Sequence, residues 1–160
     1  MMAFVCVTFT ACSSDDDDNG GSAASTLTIG SENISLPYAY YFYDGSSWQI
    51  EFYSFDMVNF RNGNIPQTMN ALMISISGNE GTEPPVSEFA NAHLYVVNGY
   101  TMNSEGQHYE GHATVTVSKS GGTYTVAFSN ATIGDDSHDL NGISFTYTGA
   151  MTAMPKDYQD

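Results

Sequence analysis

Residues 111–130 read GHATVTVSKSGGTYTVAFSN, two alternating runs on either side of a glycine pair. Strict alternation puts successive side chains on opposite faces of a strand, so this stretch is a β-hairpin with one apolar and one hydroxyl-bearing face. A two-residue turn at Ser120-Gly121 sets Val117 against Tyr124, Val115 against Val126 and Ala113 against Phe128. Thr116 then opposes Thr125, and Ser118 opposes Thr123, on the other face. A half-buried antiparallel sheet has this composition. Further on, Ile143, Phe145 and Tyr147 alternate with Ser144, Thr146 and Thr148 and predict another strand of the same kind.

A second hairpin lies at 38–53, YAYYFYDGSSWQIEFY. Glycine first in a Gly45-Ser46 turn suits a type II′ connection. It pairs Tyr43 with Trp48, Tyr41 with Ile50 and Ala39 with Phe52 on the core side. The opposite face carries Tyr38, Tyr40 and Phe42 against Tyr53, Glu51 and Gln49. Four rings on an expected polar face must be covered or must bind something.

Outward from these hairpins, turn dipeptides at Asp44-Gly45, Asn62-Gly63, Asn98-Gly99, Gly121-Gly122 and Asn141-Gly142 cut the chain into short alternating segments. The pattern predicts about eight strands, near 26–30, 33–43, 47–56, 69–77, 92–98, 108–118, 122–132 and 141–150, with one helical turn over 86–92. The expected fold is a single all-β domain at 26–154, an antiparallel sandwich, with a lipocalin-like meander barrel as the alternative. A tail of 155–160 follows. At 160 residues, one such domain is what the length accommodates.

The first 25 residues have a different character. Met1 to Ala11 is apolar and uncharged, too short to span a bilayer and suited to a secretory signal. No Lys or Arg precedes it, so the full signal is expected to begin upstream. Phe9-Thr10-Ala11-Cys12 is followed by Ser13-Ser14-Asp15-Asp16-Asp17-Asp18. Small residues before a cysteine, then a serine and acidic run, resemble the lipobox and export tag of small surface lipoproteins of Bacteroidetes. The resemblance implies acylation at Cys12, anchoring to the bacterial outer membrane by that lipid, and display at the cell surface. Four adjacent aspartates repel one another and cannot pack, so 12–25 reads as a lipidated residue and an extended acidic tether. With Cys6 in the signal and Cys12 acylated, the domain keeps no thiol for a disulfide or a cysteine metal site.

The charge balance, 3 Lys+Arg against 18 Asp+Glu for a net −15, excludes nucleic acid, whose phosphates need a row of cations. It argues equally against phosphoryl transfer. No nucleophile elbow, phosphate loop or dinucleotide fingerprint is present, no cofactor is implied, and the protein reads as a non-enzyme. Three sets of residues could carry a binding function. Tyr38, Tyr40, Phe42 and Tyr53 suit stacking on a sugar, with Gln49 and Glu51 as a hydrogen-bonding rim, unless they pack beneath the 57–68 loop. His108, Glu110 and His112 share one strand face and are zinc-type ligands, on the same parity as Thr114 and Thr116 and hence facing solvent. Gly134-Asp135-Asp136-Ser137-His138-Asp139 is an oxygen-rich loop with the donors a weak calcium site uses. The leading expectation is a surface lipoprotein that binds an extracellular glycan or a surface protein through its aromatic face. A small-ligand carrier and a structural or adhesin subunit are the alternatives.

Overall fold

The computed structural model describes residues 23–135 and 139–156. The signal, Cys12, most of the acidic tether, Asp136 to His138 and the last four residues lie outside them. Ten strands and one short helix follow in order: β1 (Ala24–Ile29), β2 (Glu32–Ile34), β3 (Tyr38–Tyr43), β4 (Ser47–Tyr53), α1 (Met57–Arg61), β5 (Met69–Ser77), β6 (Ser87–Tyr100), β7 (Gln107–Ser120), β8 (Thr123–Gly134), β9 (Asp139–Gly149) and β10 (Thr152–Ala153). The all-β expectation holds. The eight-strand sandwich of two separate sheets is replaced by one curled sheet of ten strands that forms a half-barrel.

Strand order explains the curl. The sheet runs β10-β3-β4-β5-β6-β7-β8-β9-β1-β2, a meander from β3 to β9 to which β1 and β2 return. Laid flat, β2 and β3 would be about 38 Å apart, eight spacings of the ladder. Only Ser35, Leu36 and Pro37 join them, and that link reaches about 14 Å. The sheet must therefore bend until its two ends nearly meet. Fully buried Leu36 plugs the seam, and its N–H donates to Ser25 Oγ on β1 at 3.0 Å. β10 lies parallel to β3 and covers part of that edge.

The concave side is filled by side chains from opposite walls. Phe52 on β4 sits 4.6 Å from Phe145 and 5.0 Å from Tyr147 on β9, ring centre to ring centre. Ile50, Leu72, Ile74, Leu94, Val115, Val126 and Ile133 complete this core.

The 38–53 hairpin has the expected register throughout, with Gly45 at φ +96° in the first central position of its turn. The 111–130 hairpin keeps its faces but slides by two residues: Val117 meets Val126 and Ser118 meets Thr125. The turn is Gly121-Gly122, with the positive φ of +59° on Gly121; a turn at Ser120-Gly121 would have put that strain on serine. Pro37, lacking an N–H, lies in the break that divides the expected 33–43 strand.

The helix is also relocated. Residues 87–92 pair with β7 as the start of a long β6, because Val115 and Val117 offer them a partner strand. The helical turn forms at α1 instead, where Asp56 caps it by accepting from the Val58 N–H at 2.8 Å.

Candidate functional site

Two patches on the convex side of this sheet hold the residues singled out in the sequence. They have opposite fates.

On β3 and β4, the aromatic face is covered by the protein itself. Tyr40 and Tyr53 join Ala71 and Met154 in a second small core, against which Phe42, Phe55, Met57 and Met73 pack. Chain from α1 and its flanks supplies part of the cover: Phe55 lies 5.2 Å from the Tyr53 ring and 5.2 Å from Phe60. Tyr40 donates its hydroxyl to Asp56 at 3.0 Å, which ties the face to the helix cap. Burial, reinforced by that carboxylate, pushes the Tyr40 phenol up to about 12. Of the six residues proposed as a platform and rim, Tyr38 is exposed, Phe42 and Gln49 are half-buried, and Tyr40, Glu51 and Tyr53 are buried. The Gln49 amide is engaged as well: its nitrogen donates to Asp44 at 2.7 Å and its oxygen accepts from Ser75 at 2.5 Å.

Glu51 is the one buried charged residue among the described residues, at 9% exposure. Burial raises its carboxyl above the usual carboxylate range, while the hydroxyl of Tyr53, which donates to it at 2.5 Å, pulls the other way. The Tyr53 phenol is raised in turn, by burial first and by the neighbouring Glu51 charge second. A carboxylate without access to a cleft has a structural part in this arrangement.

The second patch lies on β6 to β9 and is open. Cross-strand pairing builds two rows of outward side chains. One row runs Tyr95, Glu110, Gly134, Asp139; the other runs His93, His112, Thr132, with Asn141 on β9 accepting from Thr132 Oγ1 at 2.8 Å. Gly134 contributes no side chain, so the first row has a gap between the Glu110 and Asp139 carboxylates. Around that gap lies a depression of about 750 Å³, bordered also by His108, Asp135 and Tyr95. Gly111 sits at its floor, where a Cβ would come 2.3 Å from the Thr132 carbonyl oxygen, so only glycine allows β7 and β8 to approach this closely. Register shifts in β7 between His112 and Thr116, and in β8 between Phe128 and Ile133, bend both strands beside the depression.

The expected trio His108, Glu110 and His112 is solvent-facing, as its parity required. The fold separates it chemically. His108 is held by two hydrogen bonds: Nδ1 takes the Tyr95 hydroxyl at 2.5 Å, and Nε2 meets the Glu105 carbonyl oxygen at 2.7 Å. One neutral tautomer satisfies both, with the proton on Nε2. His93 comes in its place, with Nε2 at 3.6 Å from Glu110 Oε2 and its ring 5.1 Å from that of His112. Of the acidic loop, Asp135 and Asp139 border the depression, while Asp136 and His138 lie outside the described residues.

Sequence reasoning missed His93 and Tyr95 as members of a site. The alternation His93-Leu94-Tyr95-Val96 did mark both as one face of a strand. The register of β6 against β7 was the missing piece, because the connection through 101–106 is too long and irregular to set it. Among the described residues, no helix is long and apolar enough to cross a membrane. Comparison with protein-family models, characterised proteins and solved structures returns no match to this chain.

Proposed function

We propose that this protein is a non-catalytic binding protein, lipid-anchored at Cys12 to the bacterial outer membrane, which takes a neutral extracellular glycan on the convex face of β6 to β9. The lipid on Cys12 would supply the anchor, and mutual repulsion of the four aspartates that follow it supports a role as a spacer between bilayer and domain. The observation that carries the ligand class is the depression flanked by Glu110 and Asp139 beside the Tyr95 ring.

Elimination supports the same class. An apolar cargo on the concave side is less well supported, because Phe52 there packs against Phe145 and Tyr147. An anionic ligand would meet a net charge of −15 and only three cations. Carboxylates accept hydrogen bonds and donate none at neutral pH, which matches the many hydroxyl donors of a sugar. An aromatic ring at the edge adds a surface for the C–H face of a pyranose. A strand-pairing structural role is less well supported, because the sheet ends in β2 and β10, edges of three and two residues.

A neutral-glycan array on the full chain, followed by calorimetry, tests the reading. Binding should be lost in Tyr95→Ala and in Asp139→Asn, and retained in Tyr53→Phe, whose site is inside the second core. Binding indifferent to both of the first two substitutions, or no glycan binding at all, would overturn it.

A further inference from the structure

We infer that His93, Glu110 and His112 form a binding site for a divalent transition cation of the zinc or copper(II) class, beside the proposed glycan depression. The inference rests on cross-strand geometry and goes beyond the glycan reading.

His93 and His112 are direct partners in the β6–β7 ladder, and Glu110 stands two residues before His112 on the same face. In a tetrahedral site, nitrogen and oxygen donors about 2.0–2.1 Å from the metal stand about 3.3 Å from each other. His93 Nε2 and Glu110 Oε2, at 3.6 Å, are already close to that separation. The His112 ring stands 5.1 Å from the His93 ring at 63°, so the two imidazoles approach edge to face from opposite strands. Among the described residues no three such groups are yet in ligating position together. His112 is exposed, and its ring meets that of His93, the other imidazole of the proposed set. All three residues stand on the paired strands β6 and β7, so closing the site calls for rotation of their side chains.

Donor chemistry decides the class of ion. Two neutral imidazoles and one carboxylate suit zinc or copper(II); a hard cation such as calcium takes oxygen donors and does not favour such a set. His108 is excluded from the set because Tyr95 and the Glu105 carbonyl occupy its two nitrogens. A fourth position stays open to water. The surrounding negative charge raises the local concentration of any cation.

The test is equilibrium dialysis of the full chain with zinc chloride alone, in excess calcium so that carboxylate-only sites are filled. Saturable uptake is expected, with the dissociation constant weakened about tenfold or more in His93→Ala and in His112→Ala, a loss typical of removing a ligand. His108→Ala should leave it within about twofold. Zinc should also shift the imidazole resonances of His93 and His112 and leave those of His108 in place. Absence of saturable uptake, uptake unchanged in the His93→Ala/His112→Ala double variant, or loss in His108→Ala alone would each overturn the assignment. Asp139→Asn removes a proposed glycan contact without touching His93, His112 or the Tyr95–His108 hydrogen bond and should leave zinc uptake intact, so the two readings fail separately.

Discussion

The outward face of β3–β4 and the outward face of β6–β7 belong to one sheet and have comparable chemistry in sequence: rings, a glutamate and a polar companion. One is roofed by Phe55, Met57 and Met154 and has become a second core; the other faces solvent and borders the one depression described above. The two carboxylates show the consequence. Glu51 is buried with its carboxyl raised and tied to Tyr53, whereas Glu110 is 64% exposed and free to change partners. Alternation tells which side chains share a face, and it is silent about whether another part of the chain will come to rest on that face.

Three experiments would break or sharpen this contrast. The largest effect should come from Tyr53→Ala, which empties the second core and strips Glu51 of its hydroxyl donor; a loss of about 3 kcal/mol is expected in urea unfolding. Tyr95→Ala, the matching truncation on the open face, loses a half-buried ring and the hydrogen bond to His108 and should cost only about 1 kcal/mol. Equal costs would mean that the two faces are not differently packed. Next comes Asp56→Ala, which removes both the cap of α1 and the acceptor for Tyr40. It should cost about 1–2 kcal/mol and make Tyr40 more accessible to nitration or iodination. Unchanged reactivity would show that the roof does not depend on this cap.

The smallest effect is a pH slope. Because the Glu51 carboxyl is raised in the folded state, its contribution is fully present below the unfolded carboxylate pKa of about 4.3 and is lost as pH rises through the folded value. Glu51→Gln should therefore remove a component of stability that declines with rising pH. Asp44 has the opposite sign. The backbone N–H groups of Ser47 and Ser46 hold its carboxyl far below the usual range, so its contribution is present above the unfolded value and fades only in strong acid. The difference between wild type and Glu51→Gln, followed by denaturant midpoint from pH 4 to pH 8, isolates the first slope. A flat difference would place Glu51 in contact with water.

Much of the local structure was legible. The 38–53 hairpin could be paired residue by residue, because a glycine-first turn fixes register and the core face is unambiguous. The 111–130 hairpin could be assigned to faces but not to register: adjacent glycines allow the turn to slide, and a slide of two residues leaves every side chain on the same face. The helix at 57–61 could be inferred only from Asp56 before it and Asn62-Gly63 after it, a weak signal beside the Pro84-Pro85 stop that suggested 86–92. At the site, the parity of His108, Glu110 and His112 was correct, while their partners were not visible: His93 is distant in sequence and reaches His112 only through the ladder.

The sequence by itself determined the all-β class, the inward and outward sets of each strand, and the strongly acidic charge, because these follow from two-residue alternation, turn chemistry and composition. Only the tertiary structure decided that the strands make one curled sheet, that the tyrosine face is roofed, and that His93 stands opposite His112. Those outcomes depend on contacts between segments far apart in the chain. Short-range preferences leave such contacts open, and the three-residue link from β2 to β3, together with the packing of Phe52 on Phe145, resolves them.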